Sequence, residues 1–385
     1  MIKLLSQTDL KNKTVLLRLD LNVPTFEGKI LSDYRIKQSI PTIQHLLKNN
    51  NRIIILSHLG RPVEGVLDEE YSLKRICDIL SSLINEKITF IQDWTDNLIF
   101  KESNIIMCEN VRFQLGEKSN DPKLSKMMAS LADCYVFDAF GVAHRSECST
   151  YGVTDFLESY AGLLVEKEIN TLKKLLSESK PPFVTIISGA KISTKLKIIE
   201  KLIVKSDYFF LGGGILNTFL LAMNYNIGHS LFEKDFINEA KKIISSDNFN
   251  KIILPVDVMC VENNNFDMPK NKDISMVQSN DKILDIGMKT IEKYTNIIND
   301  AGTVFWNGPM GYVEKTPFDI GTIKLSEAIA SSDNFSIIGG GDTIPIIEKL
   351  GIQDKITCLS TGGGSLLKYI EGQELPIFKK LGMYN

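Results

Sequence analysis

Short apolar runs alternate along this chain with stretches of helical periodicity, and that alternation restricts the possible folds more than any other feature. Runs at Val15 to Leu19, Ile53 to Leu56, Asn104 to Cys108 and Cys134 to Phe137 fall in the first half. Runs at Phe183 to Ile187, Tyr208 to Leu211, Thr303 to Trp306, Phe335 to Ile338 and Ile356 to Leu359 fall in the second. Between them lie periodic stretches such as Leu73 to Ile84, Leu124 to Leu131, Lys191 to Leu202, Asp235 to Ile244, Met288 to Asn299 and Ile344 to Leu350. Strand, loop, helix, strand in repetition marks a parallel sheet, so an α/β fold is expected. Pro41 and Asp121-Pro122 stand where helices can begin, and Gly351 where one can end.

The chemistry at the carboxyl ends of these runs changes near the middle. First-half runs lead into Asp20, Asn22 and Arg35, into His58 and Arg61, into Arg112, and into His144 and Arg145, side chains suited to gripping an anion. Second-half runs lead into GAK, GGG, NGPMG, GGGD and TGGG, which let a backbone approach phosphates. Ligands of open parallel sheets gather outside the carboxyl ends of the strands, so each half should present one polar mouth. Two mouths with different tools suggest two substrates.

At 385 residues the chain exceeds the size at which a single core keeps growing. We expect a first domain over 1–160, a connector over 161–182 and a second domain over 183–365. The connector carries the helix-like VEKEINTLKKLLSESK and ends in Pro181-Pro182. The tail 366–385 is expected to pack back on the first domain. No fixed-period repeat relates the halves.

A net charge of −3 argues against a coat for nucleic acid or an anionic membrane, so any anion site must be a local cluster. The six cysteines form no CxxC pair and lie in or beside apolar runs, which reads as buried thiols. The amino terminus has no secretory or transit pattern, so a cytoplasmic location is expected. Tyr208 to Phe232 carries no Asp, Glu, Lys or Arg, but its glycines and asparagines should break it into a strand, a turn and a helix rather than a membrane span.

In LLRLDLNVP the residues Arg18, Asp20 and Asn22 alternate with apolar neighbours and so share one side of an extended segment, which Pro24 stops. Alone, such a row is an ordinary solvent-facing edge. A lone His58 or Arg61 is likewise most often structural. Together with Arg112 and Arg145 at neighbouring run ends they read differently, because guanidinium forks match phosphate and carboxylate oxygens and charge-assisted bonds contribute about 1.5 to 3 kcal/mol each. Four such arginines, with Arg35, imply a small molecule carrying two or three negative charges.

Lys191 and Lys195 lie one helical turn apart at the expected start of a helix, where the dipole disfavours cations unless an anion joins them. The surrounding sequence is not GxxxxGK[ST], so a Walker ATPase is disfavoured. Triglycines at Gly212 to Gly214, Gly339 to Gly341 and Gly362 to Gly364 are individually ordinary turns, but three at run ends in one half favour a nucleotide site. Asp342 and Thr343 directly before a helix fit either a structural N-cap or a hold on nucleotide-bound Mg²⁺. Asn307 and Glu314 follow another run, and Glu314 has the chemistry to accept from a ribose.

The segments RLDLNVP, SDYRI, SHLGRP, ENVRF, DAFGVAHR, GAK, LGGGILNTF, LPVD, WNGPMG, GGGDT and STGGGS, in this order, closely resemble the phosphoglycerate kinase family along essentially the whole chain. The resemblance implies two Rossmann-like lobes, each a mainly parallel sheet flanked by helices, joined by a helical hinge. It implies reversible phosphoryl transfer from 1,3-bisphosphoglycerate to ADP, giving 3-phosphoglycerate and ATP, by a monomer using Mg²⁺. It assigns Asp20, Asn22, Arg35, His58, Arg61, Arg112 and Arg145 to the phosphoglycerate site. It assigns Gly189, Lys191, Lys195, Gly213, Asn307, Glu314, Gly339, Gly340, Gly341, Asp342 and Thr343 to the nucleotide, with Asp342 on the metal. Arg35, Lys191, Gly340 and Gly363 are implied to meet the phosphoryl group in flight. Departures from the family pattern are Ser188 for a glycine, Thr194 and Lys368 for acids, and Phe137 for an asparagine.

Both nucleophiles of that reaction are anionic near pH 7, so no general base is required, and no Asp or Glu stands among the cations as an obvious proton acceptor. A dinucleotide-dependent dehydrogenase is the rival enzyme reading, weakened by the absence of a GxGxxG that opens a helix. A catalytically silent nucleotide-binding scaffold is the rival outside enzymes.

Overall fold

A computed structural model describes residues 2–95, 100 and 103–384. The chain forms two compact units, one of Met1–Thr171 with Gly364–Asn385 and one of Leu172–Gly363.

In the first unit the elements run β1 (Thr14–Leu19), the hairpin β2 (Thr25–Phe26) and β3 (Lys29–Ile30), α1 (Tyr34–Lys48), β4 (Arg52–Leu56), α2 (Lys74–Ile84), β5 (Ile88–Ile91), β6 (Ile105–Cys108), α3 (Pro122–Ala129), β7 (Cys134–Asp138) and β8 (Ser159–Ala161). Helix α4 (Leu163–Ser177) follows, and the division between units passes through it. The sheet is parallel, in the order β5-β6-β4-β1-β7-β8. Central β1 is buried along its whole length, which is why it reads as a near-continuous apolar run. Val15, Leu17 and Leu19 pack with Ile53, Ile55, Ile36, Leu46, Ile76 and Leu80 in one apolar core.

Local signals set several ends. Asp121 caps α3 by accepting from the Lys123 and Leu124 N–H groups at 2.7 and 3.0 Å, with Pro122 in the first turn. Asn85 closes α2 in the left-handed region. Pro41, by contrast, does not start a helix. It lies inside α1 on an exposed position, where a lost backbone donor leaves only a carbonyl in reach of water.

The second unit continues through β9 (Phe183–Ile187), α5 (Leu196–Ile203), β10 (Tyr208–Leu211), α6 (Gly213–Ala222), α7 (Ile237–Ile244), β11 (Asp257–Glu262), β12 (Lys270–Asp273), β13 (Asp281–Ile286), α8 (Met288–Asn299), β14 (Thr303–Asn307), α9 (Ile320–Ala330), β15 (Phe335–Gly339), α10 (Ile344–Lys349) and β16 (Cys358–Ser360). Its main sheet is parallel, in the order β10-β9-β14-β15-β16. A second, antiparallel sheet in the order β12-β11-β13 escaped the sequence reading. Its strands carry charges that mask the apolar signal. Lys272 bridges Glu262 and buried Asp281 at 2.8 Å each and ties the sheet together. The Tyr208 to Phe232 stretch becomes β10, α6 and a loop, and among the described residues no helix is long and apolar enough to cross a membrane.

The chain ends with α11 (Gly363–Ile370) and α12 (Pro376–Lys380), and from Gly364 onward it belongs to the first unit. Buried Phe378 stacks on Phe140 with centroids 5.8 Å apart, and the Lys3 N–H donates to the Leu381 carbonyl at 3.3 Å. Phe378→Ala should therefore lower the stability of the first unit by about 3 to 5 kcal/mol. Urea unfolding followed by buried Trp94, in a Trp306→Phe background, measures this. A loss under about 1 kcal/mol would show that the terminal return does not close this core.

Candidate active site

The carboxyl end of β1 places Arg18 wholly out of solvent. Its Nε donates to Ser149 Oγ at 3.0 Å, and its Nη2 lies 3.2 Å from His58 Nδ1. Arginine has only donors, so His58 Nδ1 accepts and the ring proton is left on Nε2. Burial, then the positive charges of Arg18, Arg112, Arg145 and Arg35, hold the His58 pKa well below its ordinary value. His58 is thus a neutral hydrogen-bonding group inside a ring of guanidinium charge.

The loops after β1, β4, β6 and β7 carry the expected first-half residues, and Arg35, Arg112 and Arg145 join Arg18 in acting on His58, while no bond ties Arg61 to this cluster among the described residues. Asp20 forms an ion pair with Arg35 at the start of α1. Asn22 is exposed, and its Oδ1 accepts from the Gly60 N–H at 2.8 Å, tying one loop to the next. Arg112 follows β6 on a short turn whose backbone is held by Asn110 Oδ1 at 3.1 Å, and its Nη1 donates to the Gly60 carbonyl at 2.6 Å. Burial lowers its pKa to about 10, still far above neutrality. Arg145 is half-buried and Arg61 is exposed.

Two acidic residues enter this cluster that sequence reasoning missed, and the expectation that no acid stands among the cations is corrected. Buried Glu147 places Oε1 3.0 Å from Arg145 Nη1 and 3.5 Å from Arg112 Nη2. Its spacing of two residues from Arg145 was the available signal. Buried Glu117 accepts from Ser149 Oγ and N–H at 2.5 and 3.1 Å, and Ser149 in turn accepts from Arg18. Burial raises the Glu117 pKa to about 7, against the opposing pull of the Ser149 hydroxyl and of Arg18. His144 does not act as a cation. Burial lowers its pKa to about 4, and its Nδ1 lies 2.7 Å from Ser365 Oγ.

In the second unit the loops after β9, β10, β14 and β15 enclose a cavity of about 470 Å³. Leu216, Ile283, Leu284, Met310 and Tyr312 give it apolar walls, while Gly189 and Gly213 line it through backbone. Gly213 has φ +59°, and a side chain there would meet the Gly189 carbonyl at 2.7 Å, so only glycine lets these loops touch. At Gly341 and Gly363, the local chain aside, no atom of the described residues lies within 4 Å of the point where a side chain would begin, so open space adjoins both. Glu314 and Asp342 line the same cavity, and both are exposed. Buried Asp285 also lines it, accepting from the Gly321 and Ile286 N–H groups at 2.7 and 2.8 Å. Burial raises its pKa to about 8.

The two lysines sit differently from the expected helix start. Lys191 is exposed in extended backbone, a short 3-10 turn spans Ile192–Thr194, and α5 begins only at Leu196. Lys195 Nζ donates to the Ser188 and Asn307 carbonyls, the latter at 3.1 Å. Burial lowers its pKa to about 8, with Asp342 opposing the shift. Buried Asn307 therefore takes part through its backbone. Ser188 Oγ donates to the Pro309 carbonyl at 2.5 Å and fastens the same loop.

Between the two readings of Asp342, the capping one fails. Thr343 occupies the N-cap of α10 and makes no side-chain capping bond, while the Asp342 carboxylate remains exposed one residue earlier. Among the described residues no cluster of three His, Cys, Asp or Glu side chains could hold a metal by itself. A single exposed carboxylate fits Mg²⁺ only together with oxygens from a ligand, since that ion is usually held by one or two carboxylates and substrate phosphates.

A family model described as phosphoglycerate kinase matches residues 5–373. A phosphoglycerate kinase of Francisella philomiragia subsp. philomiragia is 44% identical over 380 residues, covering 97% of this chain and 96% of the relative. One of Francisella tularensis subsp. holarctica is 42% identical over 381 residues, covering 98% and 97%. Among solved structures, phosphoglycerate kinase from Coxiella burnetii superposes with a TM-score of 0.86 at 39% identity, covering 100% of this chain and 99% of the other. Phosphoglycerate kinase from Pyrococcus horikoshii OT3 gives a TM-score of 0.88 at 31% identity, covering 99% of each.

Glu117 makes stability depend on pH. Its folded pKa of about 7 lies above its ordinary value of 4.5, so its contribution is full below the lower value and is lost as pH rises through the upper one. Glu117→Gln cannot titrate, so relative to the parent it should gain about 3 kcal/mol in stability between pH 4 and pH 8. Denaturant midpoints for both proteins across that range test this. A difference independent of pH would contradict the buried, proton-sharing environment.

Proposed function

That this chain belongs to the phosphoglycerate kinase family is the premise from which we propose that the arginine cluster of its first unit binds 3-phosphoglycerate and 1,3-bisphosphoglycerate, and the cavity of its second unit binds ADP and ATP. The chain is an enzyme of reversible phosphoryl transfer from 1,3-bisphosphoglycerate to ADP, giving 3-phosphoglycerate and ATP in glycolysis. The observation that carries the site assignment is the ring of Arg18, Arg112, Arg145 and Arg35 around neutral His58. Such a ring complements a small, multiply charged anion.

Arg61, Arg112 and Arg145 take the phosphate, Asp20 and Asn22 orient hydroxyl groups, and His58 donates from Nε2. Arg35, paired with Asp20 and only half-buried, reaches the transferring group. In the second unit Gly189, Lys195, Gly213 and the backbone from Gly339 to Thr343 cradle the nucleotide phosphates, Asn307 holds Lys195, and Glu314 takes the ribose. Asp342 is the residue that would hold the Mg²⁺ carried by the nucleotide, and that ion supplies neutralising charge to the phosphates.

Catalysis on this reading is alignment plus charge stabilisation. Arg35, Lys191 and the N–H groups of Gly340 and Gly363 meet charge developing on the equatorial oxygens. Glu147 does not serve as a base, since two guanidinium groups share its carboxylate and both nucleophiles are already anionic. Closure about residues 161–182 brings the substrates together and excludes water. On this reading the enzyme acts as a monomer without nucleic-acid or membrane partners, and its six buried free cysteines suit the reducing cytoplasm.

ATP consumption dependent on 3-phosphoglycerate tests the reading, and Lys191→Ala should lower kcat by about 10² to 10³. An effect on KM alone would remove Lys191 from the transition state. Lys195 adds a pH signature. It is protonated below about 8, so nucleotide affinity should fall as pH rises through that value, whereas Lys195→Arg should flatten the fall. Calorimetric titration with ADP measures both, and identical pH profiles would contradict the role given to Lys195.

A further inference from the structure

Glu147 stands where an anionic substrate would be expected to bind. It is buried, it follows Arg145 by two residues, and its Oε1 lies 3.0 Å from Arg145 Nη1 and 3.5 Å from Arg112 Nη2. Its second oxygen, Oε2, is buried without a hydrogen-bond partner among the described residues, and so is Arg112 Nε. A carboxylate that satisfied these arginines structurally would engage both oxygens in forked geometry. This one engages a single oxygen and leaves a donor of Arg112 unused. The arrangement is held from behind, because the Glu147 N–H donates to Thr150 Oγ1 at 3.2 Å and its carbonyl accepts from the Tyr151 N–H at 2.8 Å.

From this geometry we infer that Glu147 is an internal competitor for the substrate anion, occupying the Arg112 and Arg145 guanidinium groups until 3-phosphoglycerate displaces it. The inference rests on the arginine cluster being the phosphoglycerate site. Two consequences follow from charge alone. Before substrate arrives, Glu147 offsets the repulsion between Arg112 and Arg145, which also stand near Arg18 and His58. With substrate bound, a like charge beside the ligand phosphate weakens binding unless the carboxylate moves aside. Glu147 thus sets the substrate concentration at which the enzyme half-saturates, without touching the reacting atoms. It is a positioning and specificity residue, selecting ligands charged enough to evict a carboxylate.

The test is steady-state kinetics of Glu147→Gln, which keeps the shape and an acceptor oxygen but removes the charge. The KM for 3-phosphoglycerate should fall about tenfold, with kcat and the KM for ATP near parental values. A KM for 3-phosphoglycerate that is unchanged or raised overturns the inference, since a merely structural carboxylate would loosen the arginines on removal. A parent enzyme that does not turn over 3-phosphoglycerate would overturn the site assignment instead. If the variant fails to fold, a crystal structure of the parent with 3-phosphoglycerate decides. The inference requires the Glu147 carboxylate to have left Arg145, with a ligand oxygen in its place, and an unmoved carboxylate overturns it.

Discussion

Positive charge concentrated out of solvent is the constraint on which the first unit depends. Arg18 and Arg112 are almost wholly buried, and a buried guanidinium is tolerated only where it is paired and hydrogen-bonded. The fold meets that requirement locally. Ser149, the Gly60 and Leu19 carbonyls, Glu117 and Glu147 each answer part of the charge. His58 stays neutral because it could not add another positive charge to such a place. Strand order matters here, since β1, β4 and β7 are neighbours and their carboxyl ends deliver Arg18, His58 and the loop bearing Arg145 to one point.

The second unit solves a different problem with different means. Its cavity has apolar walls with open backbone beside them, which on the proposed reading suits the flat apolar ring and the phosphates of a nucleotide. Gly213 is required by its positive φ and by its close contact with the Gly189 backbone, so it shapes the cavity before any ligand enters. Lys195 is the exception, a half-buried cation held by two carbonyls.

Much of this was legible from residue order. The central strands were readable because both faces are buried, leaving unbroken apolar runs such as Ile53 to Leu56 and Ile105 to Cys108. The edge strand β5, only partly buried, and the antiparallel sheet of β11, β12 and β13 were not, since partial burial and the charges on these strands break the apolar run that marks a central strand. The arginines stood out by repeating at run ends. Glu147 and Glu117 did not, because a lone acid in a loop looks like surface charge until folding brings the arginines around it. Lys191 and Lys195 were recognised as a pair but placed on a helix, and the 3-10 turn between them depends on loop packing that periodicity cannot report.

If the arginine ring and the glycine-walled cavity act together on one phosphoryl group, that group passes directly from one oxygen to another with no covalent stop on the protein. The measurement that bears on this most directly is the stereochemical course at phosphorus, using ATP made chiral at its γ-phosphate with oxygen isotopes and 3-phosphoglycerate as acceptor. A single in-line displacement predicts inversion of configuration. Net retention would mean two successive transfers through an enzyme side chain, and would contradict the account.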